Sequence, residues 1–506
     1  MSQPVTRAEI AALLAVAQDH AFGQPPGSQL RSTVVAQHLA RAAAVDQMER
    51  ATTWWVSTLR FLGCTGHAFE TAAAFGDEIE LRAWSLQADA SNPVEFLRMM
   101  IDRATQGRAG LTRIPAVVSV LVNGKAAAQE NFHMACEVAD LFAVHLGMSE
   151  SVRASLASNF ERWNGRGLPD GRRRWAIPRP MRIAQIAQEL EVLTRTAGLD
   201  RAVEVIQARK GRAYDPDLTD LVVTGAERWI EAATAADPWD AALAGAPRAE
   251  PLDDAGARDM LLVLADFADL KSPWTGGHSR EVATLAAQVC GPGAEAAAFV
   301  HDLGRVAVPN SIWDKPGPLT RDERDRVETH PLVTDQMLRR VPFTAALAGS
   351  AAAAHERLDG SGYHRRLGAG QLDETQRVIA VADCYQAMIS DRPYRRAVPR
   401  DRAAIELRTM AAEGRLDGEA VERVLEAAGH RRRGRTSHPA GLTARECDVL
   451  RLLALGCTTR QVADQLFISP KTADRHVQNI YQKIGVSTRG AAALFAIENG
   501  ILIVDR

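Results

Sequence analysis

Apolar residues recur at helical spacing along nearly the whole chain, and the strict alternation of a half-buried strand is almost absent. The pattern predicts an all-α fold. It is interrupted twice. Residues 236–255 contain Pro238, Pro247 and Pro251, and residues 430–441 contain Arg431, Arg432, Arg433, Arg435, Pro439 and Gly441. These breaks divide the chain into segments 1–236, 256–430 and 441–506. The last segment has the densest local signals. Thr443-Ala-Arg-Glu446 fits a capping box opening a helix with Val449, Leu450, Leu452 and Leu453 on its apolar face, and Gly456 suits its end. Thr458 opens a second helix that buries Val462, Ala463 and Leu466. Ser469-Pro470 opens a third, with Ala473, Val477, Ile480 and Ile484 on one face. Lys471, Asp474, Arg475, Gln478 and Lys483 fall on or near the other face. Two short helices, a turn and a helix with an exposed polar face make a helix-turn-helix plan, sized for the major groove.

Composition narrows the picture. A chain of 506 residues suggests about three domains. A net charge of −2 excludes nucleic-acid binding through bulk positive charge and leaves room for a local reader. Abundant Ala and only 5% aromatic residues favour helix. The six cysteines include no CxxC pair, which argues against a disulfide framework and a thiolate zinc site. The opening MSQPVTRAEIAALL does not read as a signal peptide, and no apolar run reaches the roughly 18 residues of a spanning helix. The expectation is a cytoplasmic protein without a membrane partner.

Candidate chemistry lies in the middle segment. His278, His301, His330 and His355 stand beside acidic or small residues, with Asp302 adjoining His301 and Asp383 further on. Imidazole nitrogens with carboxylate oxygens suit Fe, Mn, Zn or Ni. A His-Asp pair lets one carboxylate bridge two metals, a geometry able to activate water and clamp a phosphoryl group.

The middle segment resembles the HD superfamily, and within it the HD-GYP class. The resemblance rests on HSREV (278–282), HDLGRVAVP (301–309), KPGPLT (315–320), ETHP (328–331), AHERLDGSGYH (354–364), VADCYQAM (381–388) and DRPYRRA (391–397). It implies a metal-dependent phosphohydrolase acting on a cyclic dinucleotide such as cyclic di-GMP. His278, His301, Asp302 and Asp383 would hold one divalent metal (Fe, Mn or similar), and Asp302, His330 and His355 a second. Asp302 and Arg305 take the catalytic assignments, Tyr363, Arg392 and Arg395 bind substrate, and the two arginines reach its phosphates. The stretch 442–489 is similar to the LuxR-type helix-turn-helix, through its LTARE start, Gly456, ISPKT, His476-Val477 and Lys483. This implies a homodimer on DNA, contacted by Lys471, Thr472, Asp474, Arg475, Gln478, Asn479 and Lys483. Asp474 stands where the family commonly carries a base-reading cation.

The middle segment departs from its family at several positions. The His-His-Glu of the family is Ala354-His355-Glu356, the HDxGK lysine is Arg305, and Gly-Tyr-Pro is Gly362-Tyr363-His364. Trp274 stands where some members carry a Glu for a third metal. A mononuclear or weakened binuclear site is expected.

The first segment echoes the second. Residues 135–203 align with 330–398 without gaps, pairing Glu161-Arg162 with Glu356-Arg357, and Gly165 and Gly167 with Gly360 and Gly362. RFLGC (60–64) falls opposite HDLGR (301–305), so the first copy carries an insertion near 75–125. His301-Asp302 becomes Arg60-Phe61, His330 becomes Ala135, His355 becomes Phe160 and Asp383 becomes Gln188. A degenerate HD-like copy is expected. Two functional readings follow. One is a DNA-binding regulator whose HD-GYP-like domain hydrolyses or senses a cyclic dinucleotide. The other is an impaired HD domain serving as sensor or dimerisation scaffold.

Overall fold

The computed structural model describes residues 4–89, 92, 94, 98, 101–102, 114–248, 250–429 and 439–502. The described residues are helical with no strand, apart from isolated bridges such as Asp359 with Gly368. The all-α expectation therefore holds. Part of the 75–125 insertion, including 103–113, and all of the 431–435 linker lie outside the described residues.

Two compact units emerge, Thr6–Pro251 and Leu252–Arg506, the latter taking in Met1–Val5. The first unit reaches beyond 236. Pro238 does not end structure there: it occupies the first turn of a helix, Pro238–Ala244, capped by Asp237. That helix buries Trp239 and Ala242, and the Trp54 indole donates to the Ala242 carbonyl at 2.8 Å.

In the first unit, α1 (Arg7–Ala21) starts on a capping box between Thr6 and Glu9 and is buried on nearly every face. α2 (Ser28–Ala42) follows Gly27 at φ +88° and packs against α3 (Arg179–Ala197). In the second unit, α4 (Asp254–Asp269) and α5 (His278–Cys290) repeat this arrangement, α5 following Gly277 at φ +76°. Positive φ carries little strain on glycine, so in both units the chain turns sharply into the second helix. Asp19 accepts the backbone N–H groups of Gly27 and Gln29 at 2.8 and 2.9 Å; Asp269 accepts Ser279 N–H and O–H, both at 2.8 Å.

The parallel extends to close backbone approaches. A Cβ on Gly63 would stand 1.8 Å from the Ala135 carbonyl oxygen, and one on Gly304 2.0 Å from that of His330. A Cβ on Gly167 or on Gly362 would lie 2.4 Å from the Cα of Glu161 or Glu356 respectively. The glutamates, in turn, accept backbone N–H groups from the following loops, Glu161 from Asp170 at 2.8 Å and Glu356 from Arg365 at 2.7 Å.

The second unit continues through α6 (His330–Leu338) and α7 (Glu374–Ile389), and ends in four short helices: α8 (Ala444–Ala454), α9 (Thr459–Gln465), α10 (Pro470–Ile484) and α11 (Arg489–Glu498). Val449, Leu450, Val462, Ala473 and Ile480 form the buried core of these four.

Candidate metal centre

Local structure places each candidate ligand at an element end or on a buried face. His278 is the first residue of α5, its position set by Gly277 and by the Asp269–Ser279 hydrogen bonds. His301-Asp302 precedes a 3-10 turn, Leu303–Ala307, that lies against α6 because Gly304 carries no Cβ. His330 opens α6, and Asp383 is buried in the middle of α7.

Six ligand-type side chains converge and all are buried. They form two groups, His278 with His301 and Asp383, and Asp302 with His330 and His355, the donor atoms of each group within 4.8 Å of one another. Asp302 joins the groups. Its Oδ1 lies 3.2 Å from Nε2 of both His330 and His355, and its Oδ2 lies 3.3 Å from Nε2 of His301. His278 Nε2 is 3.0 Å from Asp383 Oδ1.

Outer contacts fix the imidazoles. His301 Nδ1–H donates to the Ala298 carbonyl at 2.7 Å, and His330 Nδ1–H to that of Val327 at 2.6 Å. Each ring thereby turns Nε2 inward, as metal-ligating histidines do. Nε2 of His301, Nε2 of His330 and Oδ2 of Asp302 are buried without a well-formed hydrogen bond. Buried polar atoms seldom lack partners, and a divalent cation would satisfy all three. The donor set therefore fits a metal. The electrostatics of the side chains alone divide the imidazoles, two lowered and His301 and His355 raised. Burial pushes His278 and His330 down to about 4, which favours the neutral, ligating form. Burial also opposes charge on Asp302, but the Arg305 guanidinium and His301 outweigh it and hold the carboxyl well below its usual range. Burial opposes charge on His301 too, and Asp302 prevails, raising it to about 9.

The centre opens into a cavity of about 830 Å³ that includes Arg305, His330, His355, Tyr363, Asp383 and Arg392 in its wall. Arg305 Nη1 is 2.8 Å from Asp302 Oδ2, and its guanidinium lies 4.4 Å from the Trp313 ring centre. Tyr363 stacks on His355 at 5.2 Å. Arg392 is buried and donates to the Trp274 carbonyl at 3.0 Å.

The remaining sequence-assigned residues divide. Arg395 does not join the cavity wall; its guanidinium donates to the carbonyls of Ala387, Met388 and Ser390. His364 is half-buried and belongs to neither group, and Ala354 offers no ligand. Trp274 lines the cavity. Lys271, Trp313, Arg324 and Arg357 also line the cavity, without a role assigned from sequence. Trp313 lies two residues before KPGPLT and Arg357 lies within AHERLDGSGYH, the sequence signals that bear on them. Asp269 was also missed, since an acid in a helical pattern announces nothing.

The first unit lacks such a centre among its described residues. Where the second has His301, Arg60 is buried and donates to Asn159 Oδ1 at 3.0 Å and to the Ala184 carbonyl at 3.1 Å.

On α10, Lys471, Thr472, Asp474, Arg475, Gln478 and Asn479 are exposed, while Ala473 and Ile480 are buried. Lys483 is exposed but tied down: its ammonium stands 2.6 Å from Glu446, the acid of the α8 capping box. Gln478 donates to Asp474 at 3.3 Å.

Comparison with known proteins accords with this geometry. Residues 262–420 match the HD domain family, and residues 440–496 match the luxR family of bacterial regulatory proteins. The chain is 31% identical over 412 residues to the 3'3'-cGAMP-specific phosphodiesterase 3 of Vibrio cholerae, spanning 78% of this chain and 89% of that one. It is 31% identical over 166 residues to a cyclic di-GMP phosphodiesterase of Thermotoga maritima, covering 31% of this chain and 44% of that relative. A crystal structure of a cyclic GMP-AMP-specific phosphodiesterase of Vibrio cholerae superposes with a TM-score of 0.58 at 27% identity, over 84% of this chain and 98% of that one. Among the described residues no helix is long and apolar enough to cross a membrane. The chain belongs to the HD-domain family of HD-GYP cyclic-dinucleotide phosphodiesterases, and it joins that fold to a luxR-type DNA-binding domain.

Proposed function

We propose that the chain is a one-component regulator whose HD-GYP-like centre hydrolyses a cyclic dinucleotide, cyclic di-GMP or 3'3'-cGAMP, and whose α10 face binds DNA as a homodimer. The observation that carries the catalytic reading is the pair of His/Asp groups joined by buried Asp302, with the inward-facing Nε2 atoms of His301 and His330 left without a hydrogen bond. A divalent Fe or Mn bound there supplies positive charge that acidifies water and neutralises phosphate.

The chain's own residues supply the rest. Arg305 and Arg392 present guanidinium groups to a phosphodiester in the cavity. The buried walls exclude bulk water and strengthen those contacts. Water then adds across one P–O bond, leaving a phosphate monoester and a free ribose hydroxyl. The group Asp302, His330 and His355 lacks the ligand that Ala354 replaces, and Arg305 occupies one oxygen of the shared carboxylate. We therefore assign fuller metal occupancy to the group His278, His301 and Asp383.

Thr6–Pro251 is a degenerate HD-like copy, a reading supported by the matched glycine approaches and carboxylate caps. Arg60 fills its would-be ligand position with a fixed cation. Its remaining role is packing or dimerisation. The sensor reading rests on Ala354 and Arg305, and it predicts nucleotide binding without turnover.

The test is incubation of the purified chain with each cyclic dinucleotide and Mn or Fe, with products followed by chromatography. Linear product supports the hydrolase. Binding without product moves the centre to a sensor, and neither binding nor product overturns the nucleotide reading.

A further inference from the structure

The helix α11 has two apolar faces. Ala492 and Ala496 belong to the core of its own four-helix domain. Ala491, Leu494 and Ile497, three residues apart, are also buried but stand outside that core. Residues at this spacing share one side of a helix. α11 packs against α4 of the HD domain. Ile497 reaches Gly276, where an added Cβ would stand 2.3 Å from Leu502 Cδ1 and 3.4 Å from Ile497 Cγ1. Beside it, Arg280 grips Asp266 through two contacts of 2.7 and 2.5 Å. Burial, and then Asp266, raise the neighbouring Glu498 to about 8, as expected of a carboxyl enclosed by a close interface.

The glycine's neighbours connect this contact to the metal centre. Trp274 and Thr275 line the cavity, and His278 follows two residues after Gly276. Arg392 holds the loop through the Trp274 carbonyl. A phosphate that recruits this guanidinium competes with that carbonyl, and so loosens the loop beneath Leu502. The recognition face of α10 stays exposed in the docked arrangement. Docking therefore fixes the placement of that face and leaves it uncovered.

We propose that the seat formed by α4 and Gly276 is a docking surface for α11 of the same chain, released when a cyclic dinucleotide engages Arg392. The release step rests on the nucleotide reading above; the seat itself does not. Differential affinity of the ligand for docked and undocked states is what such coupling requires.

The experiment is pulsed electron resonance on the full chain, with labels on genetically encoded amino acids at the exposed positions Asp259 and Asp464. The wild-type chain should give one narrow distance peak. Leu494→Asp should abolish it, and Gly276→Leu should do so from the opposite side of the contact, covering the case in which the first variant fails to fold. Cyclic di-GMP with Mn, shown by calorimetry to bind, should broaden the wild-type peak. A narrow peak retained in both variants overturns the seat. Broadening in the variants with an unmoved peak in nucleotide-bound wild type overturns the release and leaves the nucleotide reading intact. Absence of calorimetric binding of cyclic di-GMP, and of 3'3'-cGAMP tested in the same way, overturns that reading and the release with it, while the variant peaks still decide the seat.

Discussion

Arg305 Nη1 stands 2.8 Å from Asp302 Oδ2, while the other oxygen of that carboxylate lies 3.2 Å from Nε2 of both His330 and His355. One fully buried carboxylate thus serves a guanidinium on one side and two imidazoles on the other. Arg305→Ala removes a charge-assisted contact worth about 1.5–3 kcal/mol, so kcat/KM should fall by about 10–100-fold. Steady-state kinetics on metal-loaded protein would show it, and an unchanged rate would place Arg305 outside the chemistry.

Ala354 adjoins His355 at the group that lacks a ligand, and it is fully buried. Ala354→His should raise the metal content of the purified chain, measured by mass spectrometry of the metal. Overpacking should cost about 1–3 kcal/mol of stability in the metal-free form. Unchanged metal content in a folded variant would show that the missing ligand does not limit the second group.

Gly362 and Gly167 occupy equivalent tight approaches, and a Cβ on either meets backbone. Gly362→Ala and Gly167→Ala should each lower stability by about 1–3 kcal/mol, measured by denaturant unfolding. Gly317→Ala, with open space around its Cβ, should be near neutral. A neutral Gly167→Ala would break the structural equivalence of the two units.

In the first unit, burial, with Arg82 nearby, pushes His67 down to about 3. An unfolded chain protonates this imidazole near pH 6.5, and the folded chain does not until about pH 3. The unfolded state therefore binds the extra proton, and stability is lost as pH falls below 6.5. His67→Gln should reduce the slope of stability against pH by about 1.4 kcal/mol per unit between pH 6 and 4. Equal slopes in wild type and variant would show that His67 titrates normally when folded.

What the sequence disclosed follows from what motifs encode. His278, His301, Asp302, His330, His355 and Asp383 were legible because each sits in a short string with fixed local geometry. Arg392 and Arg395 look alike in DRPYRRA. The tight turn in which each donates its backbone N–H to the other's carbonyl sends one side chain to the cavity and the other to backbone carbonyls. Lys483 falls near the polar face of α10 by periodicity, yet the helix end brings it to Glu446. Pro238 looked like a breaker and instead starts a helix. In these three cases the deciding contact is with a residue distant in sequence or with a turn, which a periodic pattern does not record.

Asp302 touches both ligand groups and the one guanidinium that closes on them, so its removal tests the central claim most directly. Wild-type chain and Asp302→Ala should be compared with cyclic di-GMP, 3'3'-cGAMP and Mn or Fe, with bound metal and linear product measured in the same samples. The proposed hydrolase binds metal and forms linear product in wild type, and the variant loses both while keeping its helical content. Product formed equally by both proteins, or metal content unchanged by the substitution, would contradict it.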